Sequence, residues 1–105
     1  MTVVLFAVGT ALAVAAPHGR AQAPALVEQG QRAFMNQGCY GCHTVGKVGT
    51  PIGPDLSHVG AKYSRTYLEQ WVKDPSAQRP SAHMPKLELS EQQAKALADF
   101  LSSLR

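Results

Sequence analysis

The sequence predicts a small all-α domain of three to four short helices folded around a bound group. Three observations carry this. Apolar residues recur at helical spacing in three separate segments of the 105-residue chain. No run alternates apolar and polar residues as a half-buried strand would. The helical segments are joined by long loops rich in Gly and Pro, which only a bound group could organise.

The chain opens on a segment that does not read as part of this domain. Val3 to Ala16 is almost unbroken apolar sequence without charge. Pro17, His18, Gly19 and Arg20 follow, and then Ala21-Gln22-Ala23, a small-x-small cleavage pattern. This is the grammar of a secretory signal peptide, although Met1 and Thr2 supply no basic n-region. The run is short for a membrane span. The expected division is residues 1–23 as a cleaved signal and residues 24–105 as the domain. A retained N-terminal anchor or a core helix is the alternative. Cleavage places the domain in the periplasm, and retention anchors it to the outer face of the inner membrane.

The first helix is expected from Ala25 to Gln37, with Leu26, Gly30, Ala33 and Phe34 on one face and Gly38 ending it. Immediately after come the only two cysteines, in Cys39-Tyr40-Gly41-Cys42-His43. Cys-x-x-Cys-His is the pattern of c-type haem attachment. The spacing has a physical reason: two thiols on one helical turn reach two vinyl groups along one porphyrin edge, and the next histidine lies under the iron. A thioredoxin-like redox pair would need a βαβ setting, which the surrounding sequence lacks. A zinc site would have to be completed by histidines, since no second Cys pair exists. A plain disulfide would need no histidine. A domain this small also gains from a staple, and a covalent haem c held by Cys39 and Cys42 would supply it.

Thr44 to Gly60 reads as loop. Ser64 can cap a helix through Tyr67, Leu68, Trp71 and Val72 that stops near Asp74-Pro75. Ser76 to Lys86 is again irregular, with Pro80 and Pro85. Ser90 starts a last helix, with Glu91 in its first turn and apolar residues at Ala94, Leu97, Ala98, Leu101 and Leu104.

Taken together, these pieces resemble a class I monohaem cytochrome c of the small bacterial periplasmic type, over essentially all of residues 24–105. The matching stretches are Gln29–Phe34, the Cys39–His43 motif, Gly53-Pro54-Asp55-Leu56, Leu68–Pro75, Met84–Ser90 and Ala96–Leu101. The stretch from Gly53 to Pro85 is similar also to cytochrome c domains of haem–copper oxidase subunits. The resemblance implies the cytochrome c fold, with the N- and C-terminal helices crossing: Gly30 and Phe34 against Leu97 and Phe100. It implies His43 as proximal and Met84 as distal iron ligand. Pro54 would accept a hydrogen bond from His43 through its carbonyl, fixing the ring.

Of the three methionines, Met1 falls in the signal and Met35 is expected to fill core. His83 is the competing distal ligand, with His58 weaker. Trp71, Tyr63, Tyr67 and Arg79 are candidates for packing on the haem or hydrogen-bonding its propionates. With both axial positions filled, iron has no open site for substrate. No nucleophile–base pair stands out, so an electron carrier rather than an enzyme is expected. The alternative is a haem gas sensor or small haem enzyme with a labile distal ligand.

The full chain carries ten basic and seven acidic side chains. Removal of residues 1–23 takes away only Arg20, leaving nine and seven. No clustered Lys/Arg run points to nucleic acid. Lys47, Lys62, Arg65 and Lys73 form a candidate positive rim that would steer an acidic partner. The expected partners are redox proteins: an oxidase, a cytochrome complex or a dehydrogenase. The chain would act as a monomeric shuttle or as a subunit docked on such an enzyme, in a respiratory or periplasmic chain.

Overall fold

The computed structural model describes residues 3–11 and 18–105, with side-chain environments from Ala25 onward in the helical part. Met1, Thr2 and residues 12–17, the last part of the apolar N-terminal run, lie outside the described residues; Val3 to Ala11 is exposed and forms no regular secondary structure. Among the described residues, no helix is long and apolar enough to cross a membrane.

Among the described residues five α-helices form, as expected of an all-α chain: α1 (His18–Asn36), α2 (Val59–Lys62), α3 (Arg65–Lys73), α4 (Pro75–Gln78) and α5 (Glu91–Ser103). A 3₁₀ turn covers Cys39–Gly41. Helix α1 begins upstream of the expected Ala25, because Ala21, Gln22 and Ala23 are strong helix formers. Two features depart from the sequence reading of residues 44–60 and 76–86 as loop throughout. A two-residue hairpin pairs β1 (Thr44–Val45) with β2 (Val48–Gly49) antiparallel, Thr44 opposite Gly49 and Val45 opposite Val48. The single turns α2 and α4 are too short to show periodicity.

Each longer helix starts where its sequence provides a cap. The Ser64 hydroxyl accepts from the Tyr67 N–H at 3.1 Å at the start of α3. At α5, Ser90 Oγ accepts from the Gln93 N–H (3.1 Å) while Gln93 Oε1 accepts from the Ser90 N–H (2.9 Å), a complete capping box. Asp74 ends α3 and caps α4 through the Ala77 N–H, and Pro75 occupies the first turn, where its missing N–H costs nothing.

The core lies where α1 crosses α5, the most extensive helix contact, with α3 against the other side of α5. Phe34, Leu68, Val72, Ala94, Leu97, Phe100 and Leu101 are buried there. Phe34 and Phe100 meet at 5.4 Å between ring centroids, and Phe34 meets Tyr40 edge-on at 4.7 Å. Gly30 sits at the crossing itself. A Cβ there would land on the carbonyl oxygen of Ala96 and lie 2.6 Å from Cβ of Phe100, so any side chain would push the two helices apart. The ion pair of Arg65 with Asp99 ties α3 to α5 at the half-buried edge, while Glu69, one turn on along α3, meets the same guanidinium at 3.0 Å.

Met35 corrects one expectation. It is 56% exposed and fills no core, because its position on α1 faces away from the α5 crossing that buries Ala33 and Phe34.

Candidate functional site

The residues singled out by sequence converge on one cleft of about 530 Å³. Its walls include Cys39, Cys42, His43, Pro54 and Met84, together with Leu68, Val72, Leu97 and Leu101 from the back of the core. The lining is predominantly apolar with a few polar groups, the composition expected of a cofactor site.

One tight turn delivers the first three residues. The N–H groups of Cys42 (3.2 Å) and His43 (2.9 Å) both donate to the Cys39 carbonyl, so the two thiols and the imidazole arise from a single turn. The thiols are not joined to each other. Burial pushes the Cys39 thiol above its ordinary value, the Cys42 charge adding to the effect against a backbone hydrogen bond that opposes it. A redox-active dithiol needs the opposite, a thiol held low so that the thiolate can attack.

His43 is oriented by the chain that follows. Its Nδ1 donates to the Pro54 carbonyl at 2.7 Å. A carbonyl can only accept, so Nδ1 carries the proton and the lone pair resides on Nε2, the tautomer of a metal-ligating histidine with a satisfied second nitrogen. Gly53 allows this approach: a Cβ there would stand 2.7 Å from Cε1 and 3.0 Å from Nδ1 of the ring.

A polar lattice that sequence reasoning missed holds this segment. One oxygen of Asp55 accepts from the Thr44 hydroxyl (3.2 Å), the Ser57 N–H (3.0 Å) and the Ser57 hydroxyl (2.6 Å). Ser57 Oγ in turn accepts from the Gly46 N–H at 2.8 Å. The Leu56 N–H donates to the Thr44 carbonyl at 2.9 Å, and the Gly53 N–H to that of Cys42. The hairpin after His43 and the loop carrying Pro54 are thus one unit. Hydrogen bonds from the Ser57 side chain and backbone hold the Asp55 carboxyl below its ordinary value of 3.8. The signal was legible: Asp55-Leu56-Ser57 is an Asx turn, the carboxylate accepting from the N–H two residues on.

Met84 reaches the same cleft from the irregular segment after α4 and is half-buried. Its sulfur accepts a hydrogen bond from Nε1 of Trp71 at 3.4 Å. His83 also lines the cleft but is exposed; His58, at the start of α2, is not among the walls. Tyr63, Tyr67, Trp71 and Arg79 all line it. The three aromatic rings form a ladder along one side, Tyr63 stacked on Tyr67 at 4.9 Å and Tyr67 tilted against Trp71 at 6.2 Å.

The expected positive rim is smaller than the sequence suggested. Arg65 is bound to Asp99 and Glu69, and Lys73 to Glu91 (2.8 Å) and Glu69 (3.6 Å). Only Lys62 of the four reaches the cleft, beside Arg79.

Two thiols, an imidazole with a free Nε2, a thioether and an apolar cleft suit a flat iron macrocycle held covalently along one edge. The described residues contain no group of three or more His, Cys, Asp or Glu placed to hold a bare metal ion. Comparison with known proteins agrees: residues 27–105 match the family Cytochrome c. The chain belongs to the cytochrome c family. Membership implies a covalently bound haem c and haem-based electron transfer, the cytochrome domain carrying electrons rather than catalysing a reaction itself. Among curated proteins, cytochrome c oxidase subunit 2 of Alkalihalophilus pseudofirmus is 33% identical over 89 residues, covering 76% of this chain and 26% of the relative. A nitric oxide reductase subunit of Stutzerimonas stutzeri is 32% identical over 81 residues, covering 71% of this chain and 56% of the relative. This cytochrome c chain therefore spans about a quarter of the one and about half of the other.

Proposed function

We propose that this cytochrome c chain is a single-electron carrier with one haem, attached through Cys39 and Cys42 and ligated by His43 and Met84. The haem iron supplies the chemistry, gaining and losing one electron. The protein's part is to hold the two ligands, keep water from the ring and leave an edge where a partner can approach. The observation that carries this reading is the shared cleft. His43, its Nδ1 committed to Pro54, and Met84, far along the chain, border the same apolar space as both cysteines. A histidine–methionine pair favours the reduced state relative to harder ligation. With His43 and Met84 both holding the iron, no position would remain for a substrate.

The relatives named as oxidase and nitric oxide reductase subunits support service to a terminal respiratory enzyme, as a shuttle or as a docked cytochrome subunit. Lys62 and Arg79 at the cleft favour an acidic partner surface. Export with cleavage after Ala23 and residence in the periplasm complete the reading; intact mass of the exported protein tests it, since a retained Val3–Ala16 segment would show directly.

The deciding experiment is an optical spectrum of the exported protein with a pyridine haemochrome assay. One haem per chain is expected, with a near-infrared Met–iron band that Met84→Ala removes and His83→Ala leaves unchanged. Carbon monoxide binding to the reduced wild-type protein at neutral pH would instead indicate an open or labile sixth position and overturn the carrier reading. Co-purification with an oxidase or reductase separates a docked subunit from a shuttle.

A further inference from the structure

Three hydrogen bonds that follow the cysteine motif share one spacing. His43 Nδ1 donates to the Pro54 carbonyl, the Thr44 hydroxyl to Asp55 Oδ1 and the Gly46 N–H to Ser57 Oγ, each across 11 positions of the chain. A fourth, from the Leu56 N–H to the Thr44 carbonyl at 2.9 Å, joins the same two stretches through the backbone alone. Residues 43–46 and 54–57 therefore lie side by side in one register, with side chains forming most of the rungs. The first rung holds the imidazole, and the others hold the acceptor of the first.

Pro54 has little means of aiming its own carbonyl. It lacks an N–H, and the carbonyl belongs to the rigid, planar peptide unit that it shares with Asp55. Whatever fixes Asp55 thus points the carbonyl. Asp55 is fixed at its side chain, where Oδ1 accepts from the Thr44 hydroxyl (3.2 Å), the Ser57 N–H (3.0 Å) and the Ser57 hydroxyl (2.6 Å). Bonds to an ionised oxygen are about twice as strong as neutral ones, which matters for a side chain as exposed as this one. Thr44 follows His43 directly, so the anchor of the acceptor is tied to the chain that carries the donor.

We propose that Asp55, held by Ser57 and Thr44, is a positioning residue for the proximal ligand: it aims the Pro54 carbonyl at His43 Nδ1 and thereby sets the reduction potential. This rests on the reading of His43 as an iron ligand. A firmly held acceptor draws on the Nδ1 proton and makes Nε2 a better electron donor. Better donation favours ferric iron, so the lattice lowers the potential, and loosening it favours the reduced form.

The carboxylate also borders the cleft, and losing a negative charge there would favour the reduced form by itself. The deciding variant is therefore Ser57→Ala, which changes no charge. It removes the 2.6 Å bond to Asp55 and the acceptor of the Gly46 N–H. In the haem-loaded protein, with circular dichroism confirming that the helices persist, the oxidised-to-reduced ratio at fixed ambient potential should fall about threefold. That is a rise of about 28 mV at 59 mV per tenfold for one electron. The His43 Nδ1 proton, followed by NMR in the reduced protein, should exchange with solvent faster than in the wild type. Thr44→Val loses only the longest of the three bonds to Asp55 and should do the same more weakly; it carries the test if Ser57→Ala yields too little haem-loaded protein. Asp55→Asn keeps an acceptor oxygen and should leave the Nδ1 proton better protected than Asp55→Ala does.

Wild-type potential and wild-type exchange of the Nδ1 proton in Ser57→Ala and Thr44→Val would overturn the role of Asp55. A potential raised equally in Asp55→Asn and Asp55→Ala, with exchange unchanged in both, would assign the effect to charge alone and overturn it too. Either result leaves His43 standing as a ligand. Should His43→Ala keep the optical spectrum of the wild type, the ligand reading falls and this inference with it.

Discussion

The two sides of the cleft are built by different means. On the His43 side the backbone and short polar side chains do the holding. A turn, a two-residue hairpin and the Pro54 loop interlock through Thr44, Asp55 and Ser57, and the imidazole is fixed by a carbonyl at 2.7 Å. On the Met84 side the chain is irregular, and the sulfur is met by one indole from a neighbouring helix. The difference follows from sequence separation. His43 comes directly after the cysteines, so local hydrogen bonds within fifteen or so residues can set its ring. Met84 arrives from a distant loop, and only a tertiary contact can aim it. The histidine side should therefore tolerate little change and the methionine side a good deal.

The sharpest way to break this contrast is Gly53→Ala. The new Cβ would meet Cε1 of His43 at 2.7 Å, so the ring or the Pro54 loop whose carbonyl holds it must shift. Overpacking of this kind costs about 1–3 kcal/mol, read as a lower denaturation midpoint of the haem-loaded protein, with weakened histidine–iron ligation.

A second probe is acid. The hydrogen bonds from Ser57 depress the Asp55 pKa, so its charged form is favoured in the folded state. Its contribution is then fully present above the ordinary value of 3.8 and is lost as pH falls through the lower folded value. Urea melts of wild type and Asp55→Asn from pH 7 down to pH 2 should differ by a constant amount above about pH 4, and the gap should close below it. A gap that widens on acidification would contradict the role given to Asp55.

Smaller effects are expected across the cleft. Lys86→Ala removes an exposed ion pair with Asp74 and should change stability by less than about 0.5 kcal/mol in a denaturant melt. A larger loss would mean the distal loop is tethered more firmly than its hydrogen bonding indicates. Smallest of all, His83→Ala should leave the optical spectrum and the melt within error of wild type, since its side chain is exposed and makes no hydrogen bond among the described residues.

These contrasts also explain which features could be read in the sequence. The helix starts at Ser64 and Ser90 were legible because a cap hydroxyl and the N–H that donates to it lie three residues apart. The cysteine–histidine motif was legible because its chemistry fits in one turn. The hairpin at 44–49 and the single turns α2 and α4 were not, because tertiary contacts decide them: the Gly60 N–H, for example, donates to the Leu104 carbonyl at 2.7 Å, and Pro75 is buried. Asp74-Pro75 marks the stop of α3, but an N-cap followed by Pro at the first position also begins a helix. Met35 suits the core by its chemistry, whereas the angular position of the α1–α5 contact, invisible without the fold, turns it outward. The Trp71–Met84 contact joins a helix to a loop and leaves no trace in residue spacing.

The crossing of α1 and α5 at Gly30 sets an order of events during biosynthesis. The helix that precedes the cysteines is completed by the last helix of the domain, whose Ala96 and Phe100 lie directly over Gly30. Contacts this remote in sequence form late. Until α5 has been synthesised, Phe34 has no Phe100 to pack against, and the turn holding Cys39 and Cys42 stands on an open chain. The thiols are thus most accessible to whatever joins them to haem before the fold closes, and closure of the two terminal helices then shuts the macrocycle in.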